Sequence, residues 1–424
     1  MHRLLKNIDT FAKNIILVFL GTSLVSIFNL LYQLLLAHRM SSVDFAAFNS
    51  LLSIFMLISA PLITLQMAAA KYIAEFNAQN QVKKIQALLS DLTSKVLPFA
   101  LLTLLVFFLA SFYITDKLKI SSLSAGYILA VILALSWITP ILSGALQGLE
   151  LFKWLISASV ISGALKLVLA FVFIGWGFNV AGALGAFLFA GIIGIIISIF
   201  PLKNFFAPKG AGEGIDFKEF FYYLFPVAIS SFCFVSLVNF DMVLVKYFFS
   251  PPEAGFYSLA QMLGKIFLFL PGAISIVMFP KAAGLNVRNM DTRSTLTRSL
   301  FYASGLCIAA NIVYNLFPFF ILKVLTGKIF AEAVTLGRLF GISMSFFTLL
   351  YILIAYFLSI KDLRFMKYLA LFTLLQFLAI VLFHRSPVQV QLILCINSIS
   401  VFSIHLILAF KKGLSPKGTV PNLI

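Results

Sequence analysis

Residues 15–37, IILVFLGTSLVSIFNLLYQLLLA, run for 23 positions without a charged side chain. At about 1.5 Å per helical residue, such a run crosses a hydrocarbon core of roughly 30 Å. Eleven further apolar runs follow this first one, near 46–69, 92–114, 122–146, 154–175, 179–200, 219–248, 255–280, 299–322, 332–360, 365–383 and 387–410. Hydrophobic residues fill 62% of the 424 positions and charged ones 11%. Soluble domains carry roughly 25% charged residues, so this chain has too little polar surface to cover a water-facing globule. Short alternating segments of the barrel type are absent, which leaves helices to satisfy the backbone in lipid. The expected fold is an all-α polytopic membrane protein of about twelve spans.

The first run is too long for a signal h-region, lacks an A-x-A site and is preceded by Arg3, Lys6 and Lys13, so it is expected to stay as a span. Leu4, Leu5, Ile8, Phe11 and Ala12 make one face of an expected interfacial lead-in helix over 1–13. The net charge of +17 does not imply a nucleic-acid partner, because the basic residues sit singly or in small groups between apolar runs. With the N-terminus inside, the inner segments hold 20 Lys and Arg and the outer loops hold 7. That bias predicts both termini in the cytoplasm, and the protein in the cytoplasmic membrane. Cys233, Cys307 and Cys395 lie far apart in apolar runs and read as packing residues, not as a disulfide or metal framework.

Residues 201–218, PLKNFFAPKGAGEGIDFK, form the one connection rich in Pro, Gly and charge, and they divide the spans six and six. The expected organisation is an N-terminal lobe over 1–200, a cytoplasmic linker over 201–218 and a C-terminal lobe over 219–424. The halves also repeat one pattern. Asp44 opens the second span, Pro61 lies within it and Lys71 closes it; Glu253, Pro271 and Lys281 do the same for the eighth. The acid-to-proline spacings are 17 and 18, and both proline-to-lysine spacings are 10. Ordered features at an offset of 209–210, at the same place in each half, point to a parallel duplication.

Three stretches carry a family resemblance: LAHRMSSVDFAAF at 36–48, KYIAEF at 71–76 and PEAGFYSLA at 252–260. With them the chain resembles the polysaccharide (lipid-linked oligosaccharide) flippases, the O-antigen type, of the multidrug/oligosaccharidyl-lipid/polysaccharide exporter superfamily. That family usually has Gly where this chain has Ala46. The resemblance implies two six-helix lobes in a V around a central cavity, alternating between inward- and outward-open states.

Ionisable side chains within spans are the candidates for function, since a charge at the bilayer centre costs about 2.5–3.5 kcal/mol on insertion scales. Lys166 lies near the middle of the fifth span with Ser159, Ser162 and Gly163 on its face. Lys265 lies near the middle of the eighth, with Gln261 and Ser258 one and two turns away. Both ammonium groups suit a cavity that takes a pyrophosphate-linked sugar. Asp241 on the seventh span offers the alternative that it and Lys265 merely neutralise each other. Thr22, Ser26, Asn29 and Gln33 form a polar stripe on the first span, which the resemblance places at the lumen; Ser136, Thr139, Ser143 and Gln147 form one on the fourth. Arg39 and Arg338 read as gate or interfacial residues.

No G-x-x-x-x-G-K-[ST] loop, H-E-x-x-H motif or Cys/His ligand cluster occurs, and every outer loop is short. The chain is therefore expected to have no catalytic residues, metal or cofactor. The leading expectation is a flippase for a lipid-linked anionic glycan, working beside a glycan polymerase and glycosyltransferases. A cation-coupled multidrug antiporter and a non-transporting scaffold of a glycan assembly complex are the alternatives.

Overall fold

The computed structural model describes residues 10–206, 218–269, 272–288 and 290–411. Residues 1–9 of the expected lead-in helix, 207–217 of the linker, Pro271, Lys412 and Lys417 lie outside them. The first half runs α1 (Thr10–Arg39), α2 (Ser42–Ser59), α3 (Ile63–Ala78), α4 (Val82–Lys117), α5 (Leu123–Leu135), α6 (Thr139–Gly148), α7 (Phe152–Gly175) and α8 (Asn179–Leu202). The second runs α9 (Lys218–Phe248), α10 (Pro251–Phe269), α11 (Gly272–Val287), α12 (Arg293–Leu316), α13 (Pro318–Thr326), α14 (Ala331–Ser359), α15 (Phe365–Leu382) and α16 (Pro387–Phe410). Among the described residues every regular element is a helix, and eleven helical stretches are long and apolar enough to cross a membrane. The expected eighth span, 255–280, corresponds to α10 and α11 on either side of 270–271.

Local chemistry explains the breaks. Pro61, which has no N–H to donate, opens the 3₁₀ turn Ala60–Leu62 that joins α2 to α3. The acids of the repeated pattern are capping residues. Ser41 Oγ accepts from the Asp44 backbone N–H at 3.0 Å and donates to the Asp44 carboxylate at 2.8 Å. In the second half, the Ser250 backbone N–H and hydroxyl both donate to Glu253 Oε2, at 3.0 and 2.6 Å. Each acid thereby supports the exposed N–H groups of a helix start, where negative charge is favoured.

Short turns are closed by left-handed residues. Asn80, Lys119, Glu150 and Lys361 take φ of 55°, 53°, 57° and 57°. In each case the next backbone N–H reaches back to a carbonyl of the helix it leaves: Gln81 to Phe76, Ile120 to Thr115, Leu151 to Leu146 and Asp362 to Phe357, at 2.8–3.0 Å. These bonds satisfy carbonyls that a helix end leaves open, so a chain can reverse within a few residues at the membrane edge.

The chain divides into two compact units, Met1–Ala228 and Ile229–Ile424. In the first, α7 packs between α1 and α8, and α3 packs on α6. Gly144 and Gly148 let α6 approach α3 closely: a Cβ at Gly144 would lie 2.5 Å from the Gln66 carbonyl oxygen, and one at Gly148 2.7 Å from that of Ala70. Small residues four apart on a helix allow this contact between membrane helices. Around it lies a core that includes Ile73, Leu88, Leu89, Ile141, Leu142 and Leu146. In the second unit α14 is central, with α10, α12 and α16 against it.

Candidate functional site

In the first unit, α1, α2, α5, α6, α7 and α8 enclose a cavity of about 400 Å³. Lys166 on α7 reaches it, and the residues one and two turns earlier on that face, Ser162, Gly163 and Ser159, line it as well. Asn29 arrives from α1, Ser136, Thr139 and Ser143 from the α5–α6 span, and Ser198 from α8. Three of the four polar residues on the fourth-span stripe thus face the cavity; Gln147 instead accepts from Gln66 Nε2 at 3.4 Å. The first-span stripe splits differently. Thr22 and Ser26 donate to carbonyls of their own helix, and among the stripe only Asn29 lines the cavity. Gln33 lies one turn beyond, its Oε1 buried without a hydrogen bond among the described residues.

The Lys166 side chain is 9% exposed. Its ammonium donates to Asn29 Oδ1 and stands over two ring faces, Tyr32 at 4.7 Å and Phe187 at 5.3 Å from the centroids. The Tyr32 hydroxyl donates to the Ala183 carbonyl at 2.8 Å, which fixes that ring. Each of these partners is neutral. They orient the ammonium and attract it weakly, but none cancels its charge. The hydroxyls of Ser159 and Ser198 donate to backbone carbonyls of their own helices, and those of Ser136 and Thr139 to carbonyls at the end of α5, leaving oxygen lone pairs for the cavity. The cavity therefore presents one cation among hydrogen-bond acceptors.

The second unit holds a different arrangement. Asp241 on α9 is fully buried. Its carboxylate accepts from the Tyr257 hydroxyl at 2.8 Å and from Gln261 Nε2 at 3.0 and 3.1 Å. Tyr257 Oη also lies 3.2 Å from Gln391 Oε1, and Gln391 Nε2 donates to Ser343 Oγ at 2.7 Å. This network ties α9, α10, α14 and α16 together. Lys265, partly buried on α10, makes no direct ion pair with Asp241, although the two charges attract each other through space. Its ammonium donates to Asn239 Oδ1 at 2.9 Å, and Asn239 Nδ2 donates to the Val235 carbonyl at 2.9 Å. A second polar chain runs from Asn397 Nδ2 to Gln376 Oε1 and from Gln376 Nε2 to the Leu237 carbonyl, both at 2.8 Å. Arg39 is exposed with its guanidinium 5.3 Å from the Phe171 ring centroid, and Arg338 is exposed on α14.

The family described as polysaccharide biosynthesis protein matches residues 11–285. The chain belongs to that family. A curated relative from Shigella flexneri named "Putative O-antigen transporter" is 23% identical over 224 residues, covering 51% of this chain and 53% of that protein. This polysaccharide biosynthesis protein thus spans about half the length of the curated relative it matches. Among solved structures, it is similar to an inward-facing multidrug resistance MATE family transporter of the MOP superfamily. The TM-score there is 0.73 and identity 13%, over 91% of this chain and 94% of that one. It is also similar to the lipid II flippase MurJ in an inward closed conformation, with a TM-score of 0.72 and 15% identity over 93% and 87%. At these identities the likeness shows the fold: this multi-pass family member has the helical fold of MOP-superfamily transporters.

The structure thus brings Lys166 together with Asn29, and Asp241 with Gln261, while Lys265 bonds to Asn239 within electrostatic reach of Asp241. Sequence reading missed Asn239, Tyr257, Gln391, Ser343, Tyr32 and Phe187. The glutamine was findable, since an unpaired amide in a membrane span is costly and implies a partner. The aromatic rings over Lys166 were not, because 48 phenylalanines and 13 tyrosines hide any two.

Proposed function

We propose that this chain carries a lipid-linked anionic glycan across the cytoplasmic membrane by alternating access, as a step in polysaccharide biosynthesis or export. The observation that carries the reading is Lys166: a buried ammonium in a hydroxyl-rich cavity, held among the described residues by neutral groups. Burying a charge costs several kcal/mol unless something compensates it, and an anionic headgroup does so when bound. The serine and threonine lone pairs suit sugar hydroxyls, which arrive as donors. A polyprenyl pyrophosphate carrier has the matching charge. Membership of the polysaccharide biosynthesis family and the likeness to a lipid II flippase support the same class. A glycan polymerase and glycosyltransferases are the expected partners, two six-helix lobes the working parts, and both termini cytoplasmic. The chain transports and has no catalytic step of its own.

Export of the glycan by cells carrying Lys166→Ala or Lys265→Ala, at equal protein level, tests this. The expected loss is about tenfold or more, the scale of removing a desolvated charge contact. Unchanged export in both variants would sink the cationic-cavity reading. The second reading, a cation-coupled multidrug antiporter, draws on the likeness to a MATE transporter and on Asp241, a buried acid bound by neutral donors. Extrusion of cationic dyes by the purified protein in vesicles, lost in Asp241→Asn, would favour it instead.

A further inference from the structure

Asn29 and Asn239 stand 210 residues apart, inside the 209–210 offset that relates Asp44, Pro61 and Lys71 to Glu253, Pro271 and Lys281. They precede their capping acids by 15 and 14 residues, on α1 and α9, the first membrane helix of each half. The Oδ1 of each accepts a hydrogen bond from a lysine ammonium. The lysines themselves are not related by the repeat. Lys166 comes from α7 and Lys265 from α10, and the residue 210 before Lys265 is Phe55, which lines the cavity of the first unit. Across the two halves, the acceptor is in the matching place and the helix that supplies the cation differs.

The chemistry of the acceptor explains why the shared element is an amide. An ammonium has three donors and no acceptor, so one bond to a carbonyl oxygen fixes its direction and leaves two protons free. A carboxylate in the same place would orient it equally well and would also neutralise it. In the second unit the amide is itself held, because Asn239 Nδ2 is committed to the Val235 carbonyl one turn back and Oδ1 is left for the lysine. In the first unit the remaining neighbours of the ammonium are the Tyr32 and Phe187 rings.

We propose that Asn29 and Asn239 are a repeat-related pair of positioning residues, which orient Lys166 and Lys265 for an anionic substrate without themselves adding a negative charge. This rests on the anionic-substrate reading above. The test is substitution of each asparagine by Asp and by Gln in the full chain, purified and reconstituted in vesicles. Two probes are used, a polyprenyl diphosphate and a cationic dye, and thermal stability is followed in parallel. Asp is isosteric and keeps the acceptor but adds a negative charge; Gln keeps a neutral acceptor. The expected result is that Asn→Asp raises the apparent KM for the diphosphate about tenfold or more, as Lys→Ala does, with thermal stability kept or increased. Asn→Gln stays much nearer the parent. A merely structural asparagine gives the opposite ordering, since Asp would then gain an ion pair with its lysine and Gln would disturb packing. If the parent moves the diphosphate and the Asp variants move it equally well, the positioning role is overturned while the anionic reading stands. If the parent moves the dye and not the diphosphate, both fall together.

Discussion

A buried ionisable residue in a membrane protein is informative through what surrounds it. Lys166 and Asp241 are equally buried in kind, yet their partners differ: an amide and two rings for the lysine, a phenol and an amide donor for the acid. The lysine faces a cavity; the acid lies inside a four-helix polar knot. Asp241 is therefore read first as a structural tie, and Tyr257 as its closest support. Tyr257→Phe removes the 2.8 Å bond and leaves the carboxylate to Gln261 and the Met242 backbone N–H, at a cost of about 1–3 kcal/mol. The measurement is the thermal midpoint of the detergent-solubilised protein, which should fall, while glycan export at permissive temperature persists. Loss of export with unchanged stability would instead make the Tyr257–Asp241 pair part of transport. Sequence alone located Lys166, Lys265 and Asp241, because charges in apolar runs are conspicuous. It could not decide whether Lys265 pairs with Asp241, since both lie at similar depth and the choice turns on side-chain direction. The structure directs Lys265 to Asn239, a residue whose meaning depends on a neighbour from another helix.

At the level of elements, hydropathy placed nearly every span but was blind to breaks inside them. Long apolar runs report membrane thickness, whereas the joints at Ala60–Leu62 and between α5 and α6 depend on Pro61 and on the Thr139-Pro140 start of α6. Helix contacts were less legible still. A glycine in a membrane span is common, and only the structure shows which one meets a backbone. Gly144 and Gly148 do so, against the Gln66 and Ala70 carbonyls of α3. Gly144→Leu must push α6 from α3, because the atom in the way is main chain and cannot rotate aside. Overpacking of this kind costs about 1–3 kcal/mol and sometimes more. The expected outcome is a lower amount of folded protein in the membrane by size-exclusion profile. Gly175→Leu, at a site with open space around the position of a Cβ, is the control and should match the parent. Equal profiles for both substitutions would remove the α3–α6 contact from the account.

For the molecule as a whole, two features of the sequence bear on how its halves are related. One is the hairpin pattern, whose acids prove to be the capping partners of Ser41 and Ser250, so its recurrence marks the same structural joint in each half. The other is charge: the positive-inside bias predicts Lys71, Lys83 and Lys84 after the second span and Lys281, Arg288, Arg293 and Arg298 after the eighth on one side, and Lys117 and Lys119 on the other. A parallel duplication requires an even number of spans per half, because an odd number would insert the second copy upside down and set its charges against the positive-inside bias. Orientation is the quantity that checks the span count. Alkaline phosphatase joined after Lys119 should be active, as an outer loop delivers it to the far side. The same enzyme joined after Asn80 or after Lys411 should be inactive in intact cells. Activity after Asn80 would reverse the first half, and activity after Lys411 with the other two as expected would mean an even number of crossings between Lys119 and Lys411, against the odd number that six and six spans require. Where either result leaves α1 and α9 running in opposite directions, the parallel repeat falls as the basis for pairing Asn29 with Asn239.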